Sequence, residues 1–448
     1  MNKEYLIHEK PLKALLIFAM PMIVGNLFQK FYTIVDSVVA GRFIGEHALA
    51  AIGASYSLTT VFISIAIGGG VGASVITSRY FGARSYLDMK LSIRTALLTF
   101  LLLSVSLGGF GLLFSRNIMI ALNTPADILD EAIEYLNIYF LGLPFLFMYN
   151  ILSSMFNALG RSKIPLYLLI FSSIFNIILD VYLVAVLHMG VAGVAWATLI
   201  AQGISAVLAF FLFLREMKHY ETTEGYGWFS TGEFSNMASV ALPSILQQST
   251  VSIGMMLVQS VVNSFGPEML AGFSAAMRIE SICIVPMAAM GNVLSSYTAQ
   301  NIGAGKLERV KKGYYTGYGI VAVFALIICL ALELFYNPLI LLFLGTEGTA
   351  LAIETGMGYL RFMGWFFIFI GLKMITDGLL RGSGDMKMFT IANMVNLGIR
   401  VAIAFIFAPI YGISMVWIAV PIGWIANYLI SFKEYRTGKW KPKTVREG

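Results

Sequence analysis

The sequence predicts an all-α integral membrane protein, with twelve transmembrane helices in two pseudo-symmetric lobes of six. Three observations predict it. The 448 residues are 58% hydrophobic and 12% charged, with mean hydropathy +0.80. That is about half the charged fraction usual in soluble domains. Twelve apolar stretches follow one another, each near the ~20 residues that cross a bilayer as a helix. The chain also repeats itself. Ala19-Met20-Pro21 returns as Ala241-Leu242-Pro243, an offset of 243 − 21 = 222. Phe81-Gly82-Ala83 returns as Ile302-Gly303-Ala304, with 303 − 82 = 221. Gly160-Arg161-Ser162-Lys163 returns as Gly384-Asp385-Met386-Lys387, with 387 − 163 = 224. An offset that hardly drifts marks one duplicated unit, a recurrent architecture of secondary transporters.

The spans fall in order. The first lobe, 1–214, holds spans at 14–39, 48–76, 92–115, 133–156, 164–187 and 190–214. The first is too long for a cleavable signal peptide, lacks a small-residue cleavage site and keeps the repeat pattern. Pro21 lies within it and Pro243 within its copy, where each should kink the helix or weaken its hydrogen bonding. Gly68-Gly69-Gly70-Val71-Gly72 falls in the second span. Close helix packing through small residues is the favoured reading there, over a flexible point for rocking. A polar cytoplasmic linker, 215–235, joins the halves and carries Lys218, His219, Glu221, Glu224 and Gly225. The second lobe, 236–433, holds spans at 237–264, 270–298, 314–335, 356–379, 388–409 and 411–432. Residues 434–448 form a basic cytoplasmic tail. Six spans per half is an even number, so the copies enter the membrane in the same sense. A cavity between lobes, open to one side at a time, follows from that layout.

Net charge is +6, and its distribution argues against nucleic acid. With both termini cytoplasmic, outside loops carry only Arg42 and Arg116 of the 30 Lys+Arg. Lys30, Arg278, Arg361, Lys373 and Arg400 fall within spans or at their edges, and the rest lie inside. This is the positive-inside bias. The tail residues Lys433, Arg436, Lys439, Lys441, Lys443 and Arg446 then face anionic headgroups. Cys283 and Cys329 sit in apolar spans and imply no disulfide framework. The four histidines lack metal-ligand spacing. No P-loop, Gly-x-Ser-x-Gly or His-Glu-x-x-His occurs, so neither an enzyme nor an ATP-driven pump is indicated. No cofactor is expected, and the chain is expected to act as a monomer in the bilayer of a bacterial cell membrane.

A charge in the bilayer core costs several kcal/mol, which makes each intramembrane ionisable residue a candidate for function. Four acidic residues qualify. Asp36 follows Tyr32 by one helical turn, and Asp180 follows Asn176 in the same way, so each pair shares a helix face. Two carboxylates sharing a buried site do not both ionise easily, and one should take a proton or a cation. Carboxylate, amide and hydroxyl oxygens suit H⁺ or Na⁺. The competing reading is a structural aspartate paired to Lys30 or Arg42. In the second half, Lys373 precedes Asp377 by four residues, the spacing of an ordinary intrahelical ion pair. Glu280 either attracts a cationic substrate or pairs with a basic neighbour such as Arg278. Arg400 sits where the repeat puts Asn176 (400 − 176 = 224), so the second copy has lost the polar site of the first. Phe147, Met148, Phe156, Met255, Met256 and Met287 are candidates to line a cavity for flat apolar cations.

The chain resembles the multidrug and toxic compound extrusion (MATE) transporters along nearly its whole length, especially the bacterial DinF- and MepA-type branch. The resemblance rests on Pro21 followed by Asp36 and Gly41-Arg42-Phe43-Ile44-Gly45, and on Gln300-Asn301-Ile302-Gly303-Ala304-Gly305-Lys306. Leu380-Arg381-Gly382-Ser383-Gly384-Asp385 and Tyr411-Gly412-Ile413-Ser414-Met415-Val416-Trp417 also match. It implies the MATE fold, with two lobes alternating access, and export of cationic amphipathic compounds by antiport with H⁺ or Na⁺. It maps the first-lobe cation site onto Asp36, Asn176, Asp180 and Thr198, with Tyr32 nearby. Pro21 then matches the proline where helix 1 bends on protonation. One departure matters. The NorM branch carries an acidic residue in helix 7, where this chain reads Gln247-Gln248-Ser249-Thr250-Val251. That argues against a second-lobe Na⁺ site and leaves Gln247, Gln248, Glu280, Lys373, Asp377 and Arg400 as second-lobe polar candidates for substrate. The alternative function on the same architecture is flipping a lipid-linked sugar, whose pyrophosphate would meet Arg278, Arg361, Lys373 and Arg400.

Overall fold

The computed structural model describes residues 4–44, 46–122, 124–222, 225, 227–345 and 348–442, and for 34–43, 46–49 and 57 the backbone only. Among the described residues there are helices and turns but no strand. The helices run α1 (Tyr5–His8), α2 (Pro11–Phe43), α3 (Glu46–Gly82), α4 (Tyr86–Ala121), α5 (Leu129–Ala158), α6 (Lys163–Asp180) and, after a π-helical turn at Val181–Val186, α7 (Gly190–Met217). They continue as α8 (Thr231–Asn263), α9 (Pro267–Cys283), α10 (Val285–Gly303), α11 (Leu307–Leu344), α12 (Ala350–Gly364), α13 (Phe367–Ser383), α14 (Met386–Tyr411) and α15 (Ser414–Thr437). Among the described residues, eleven helical stretches are long and apolar enough to cross a membrane. Where one helix is expected at 356–379, α12 and α13 meet at a bend of 54°, and the pair together is apolar enough to count as a twelfth, broken span. The chain is a multi-pass membrane protein.

The chain forms two compact units, one of residues 1–23 with 246–448 and the other of residues 24–245. They exchange the starts of α2 and α8 relative to the halves of the sequence. Each changeover falls two residues after a proline, Pro21 and Pro243. A proline cannot donate to the helical ladder and removes the bond to the residue four before it, so each changeover follows directly on a weakened turn.

Packing within each unit repeats. In the unit of residues 24–245, α5 packs on α3, α4 and α7, and α6 packs on α7. In the other unit α13 packs on α10, α11 and α15, and α14 packs on α15. These are the same contacts at the repeat offset. Small residues make them close. A Cβ on Gly72 would stand 2.3 Å from Ala241 Cα, and one on Gly68 2.6 Å from Ile245 Cα. The glycine run is thus a packing seam, as read from the sequence. Gly378 and Gly291 play the same part between α13 and α10, with Gly291 O only 2.3 Å from a Cβ on Gly378. Gly72→Ala is expected to destabilise the protein by about 1–3 kcal/mol, the usual cost of overpacking. Gly109→Ala, with nothing within 4 Å, should leave stability unchanged or raise it slightly. Thermal unfolding in detergent measures both.

The connecting segment is anchored to its own unit. Tyr220 is buried, meets Phe81 edge-to-face and Tyr86 at a tilt, and donates to Glu216 at 3.1 Å. Arg94 lies 4.7 Å over the Trp228 ring. At the other end of the chain, the Gln300–Lys306 motif holds α1. Asn301 Nδ2 donates to Leu6 O at 3.1 Å, Lys306 Nζ to Ile7 O at 3.2 Å, and Arg309 to Leu6 O and Glu9 O. Residues 443–448 of the basic tail lie outside the described residues.

Candidate functional site

In the unit of residues 24–245, three of the expected residues form one hydrogen-bonded chain. Tyr32 on α2 donates its hydroxyl to Asn176 Oδ1 at 2.6 Å, and Asn176 Nδ2 reaches Thr198 Oγ1 on α7 at 3.4 Å. Asn176 and Asp180 are buried, at 2% and 1% exposure. Asp180 lies one turn beyond Asn176 on the same face of α6. Directly after it the helix widens into the π turn, closed by Leu187 N–H donating to Tyr182 O at 3.1 Å. Single π turns inside a span recur at functional sites, where they re-aim the flanking side chains. Thr198 also lines a cleft of about 10 Å³ with Tyr135, Tyr139 and Gln202. That is room for about one water molecule. Asp36 lies on α2 one turn past Tyr32, and its side chain is outside the described residues. Among the described residues no three His, Cys, Asp or Glu are grouped to hold a metal ion.

The other unit holds two polar clusters. Lys373 and Asp377 form a salt bridge of 2.9 Å, both side chains about 4% exposed or less. Asn393 on α14 bonds both partners, Lys373 at 3.1 Å and Asp377 at 3.2 Å. Ser431 on α15 donates to the second Asp377 oxygen at 3.0 Å. A buried pair is tolerated when its remaining donors and acceptors are satisfied in this way. Next to it, Tyr314 and Tyr318 bond each other and Thr376, and Arg381 donates to Asn292 at 2.7 Å and Ser295 at 3.3 Å.

The second cluster surrounds Glu280, which is buried on α9 and accepts from the Tyr359 hydroxyl of α12. Tyr359 faces a cavity of about 310 Å³, lined also by Met255, Val258, Gln259, Phe273, Ser274, Met277, Arg278, Arg400, Val416 and Val420. Of the apolar candidates, Met255 is on this wall. Phe147, Phe156 and Met287 are fully buried, and Phe147 and Phe156 pack against Phe100 and Phe213. Gln247 is buried and Gln248 half-buried on α8; neither lines this cavity.

A family model described as MatE matches this chain twice, over residues 21–182 and 243–406, once per copy of the repeat. The chain belongs to the MATE family. Among curated relatives, the "Probable multidrug resistance protein YpnP" of Bacillus subtilis is 30% identical over 432 residues, 96% of each chain. YoeA of the same organism, also a "probable multidrug resistance protein", is 26% identical over 97% of this chain and 95% of its own length. A solved structure described as the outward-facing conformation of a multidrug resistance MATE family transporter superposes with a TM-score of 0.90, at 25% identity and 98% coverage of both chains. The MATE fold and a transporter's architecture are therefore this chain's own.

Residues that sequence reasoning missed are mostly partners. Tyr359, Asn393 and Ser431 are ordinary residues in apolar helices, and nothing local marks them as neighbours of an acidic group. Arg381 has a signal, since it sits in the motif Leu380–Asp385, but it falls just past the apolar span ending at 379. The helix runs to Ser383 and buries it.

Proposed function

We propose that this MATE protein is a secondary active exporter that moves cationic amphipathic compounds out of a bacterial cell by antiport with H⁺ or Na⁺. The observation that carries the reading is the Tyr32–Asn176–Thr198 chain of hydrogen bonds beside the buried Asp180. An amide and two hydroxyls from α2, α6 and α7 are linked here, one helical turn from a buried carboxylate. Such oxygens suit a proton or a small hard cation. By its place in the sequence, one turn after Tyr32, Asp36 is assigned to the same site. Cation entry there favours one arrangement of the lobes over the other only because affinity differs between them. Pro21 supplies the weak point at which α2 responds. In this reading both termini face the cytoplasm, as the positive-inside bias requires. The names of YpnP and YoeA agree with drug export.

The test is ethidium accumulation in cells stripped of their own efflux pumps. Lower accumulation with the chain expressed, lost in the Asp36→Asn variant, supports the reading. Wild-type resistance retained in that variant contradicts it. One observation keeps the flippase alternative: Arg278 and Arg400 both line the cavity of the second unit, where a lipid pyrophosphate would find donors. Translocation of a lipid-linked sugar, with organic cations ignored, would move the assignment there.

A further inference from the structure

The cavity of the second unit is the repeat counterpart of the polar site in the first, with its charge inverted. Across the first span of each half the offset of 222 sets Gly254 at the position of Tyr32 (254 − 32 = 222) and Val258 at that of Asp36 (258 − 36 = 222). Across the fifth span the offset of 224 sets Arg400 at Asn176 and Ala404 at Asp180 (404 − 180 = 224). Both acidic positions of the first copy are apolar in the second, and its amide has become a guanidinium. Val258 and Arg400 line the cavity, and Ala404 is buried one turn further along α14.

We infer that this cavity binds the anionic group of an amphipathic anion or zwitterion. A carboxylate, sulfonate or phosphate would sit on Arg400 with Arg278 beside it, and the apolar body would lie on Met255, Val258, Phe273 and Val416. Three observations point there. The wall carries two guanidinium groups, against a single carboxylate set behind it, Glu280, which is already held by the Tyr359 hydroxyl. The Arg400 charge acts on Glu280, yet among the described residues no ion pair joins them and the buried Arg400 Nε meets no hydrogen-bond acceptor. A guanidinium has five donors, and among the described residues none of those on Arg400 makes a hydrogen bond or ion pair, so its accessible end is free to meet an anion in the cavity. Third, the volume of about 310 Å³ is at the lower end for small-molecule pockets, large enough for a two-ring body with one charged group. This assignment rests on the transporter reading but departs from the cationic cargo proposed above, placing an amphipathic anion or zwitterion at this cavity, and its test depends on neither.

The test is calorimetric titration of the purified full chain in detergent, with no ion gradient imposed, so a chain that exports nothing still gives a result. The probes are 1-naphthaleneacetate, its cationic counterpart 1-naphthalenemethylammonium, and farnesyl phosphate. The acetate should bind about tenfold or more tighter than the ammonium, the size of one charge-assisted contact. Arg400→Gln should erase that preference. Glu280→Gln keeps an acceptor for Tyr359 while removing the competing charge, and should tighten the acetate several-fold. This opposite sign keeps the proposal testable if the arginine variant misfolds. Farnesyl phosphate binding more tightly than the acetate would place the anion on a lipid; the reverse would place it on a soluble aromatic compound. Equal or tighter binding of the ammonium, binding of none of the probes, or a preference that survives Arg400→Gln and Arg278→Gln together would overturn the inference.

Discussion

Asp180→Asn is expected to reduce ion-coupled export to the level of protein-free liposomes while leaving the protein folded. Asparagine has nearly the shape of a protonated aspartate and can donate and accept hydrogen bonds, but it cannot change charge. Asn176 and Thr198 would keep their hydrogen bond, because neither atom of it belongs to Asp180. What is lost is the difference in cation affinity between conformations, and a ligand without differential affinity shifts no equilibrium. Asp36→Asn should behave in the same way if the two carboxylates form one site. The double variant should then be no worse than either single one, since residues acting as a unit are non-additive. Efflux from proteoliposomes, with elution volume and melting temperature as controls for folding, measures all three. Substantial coupled efflux by Asp180→Asn would remove that residue from the coupling site.

The second large effect is on stability. Lys373→Met is expected to cost about 3–5 kcal/mol, the usual penalty for stranding one member of a buried ion pair. Asp377 would keep Asn393 and Ser431 as donors, which places the cost toward the lower end. Asp377→Leu strands the lysine, with the Asn393 carbonyl as its remaining acceptor, and should be at least as damaging. Lys373→Met with Asp377→Leu removes both charges and should recover most of the loss, because paired replacement by apolar residues is often neutral. Melting temperatures of the three variants in one detergent decide it. A double variant as unstable as the singles would mean that the pair does more than balance its own charge, and that Asn393 and Ser431 depend on it.

Much of the architecture was legible in the sequence. Length and apolarity mark the spans, because a bilayer demands about twenty apolar residues whatever packs beside them. The duplication is visible because Pro21, Gly82 and Lys163 return at nearly one offset. The i, i+4 relation of Lys373 to Asp377 is a property of one helix and carried over directly to the ion pair. Contacts between helices were not legible. Glu280 and Tyr359 are 79 residues apart, and nothing in the sequence sets Tyr359 apart from the other tyrosines in apolar helices. The bend between α12 and α13 leaves no proline at the break to announce it. Pro21 and Pro243 show in the sequence as weak points, but not that the chain changes unit just after them. A linker marks where the sequence repeats, whereas the compact units follow packing.

The most direct test of coupled export is ethidium efflux from proteoliposomes holding the purified chain, with a pH gradient and a Na⁺ gradient imposed separately. The account predicts efflux under one of the two gradients, lost in Asp180→Asn. No efflux under either gradient from folded protein, or efflux that Asp180→Asn leaves intact, would contradict it.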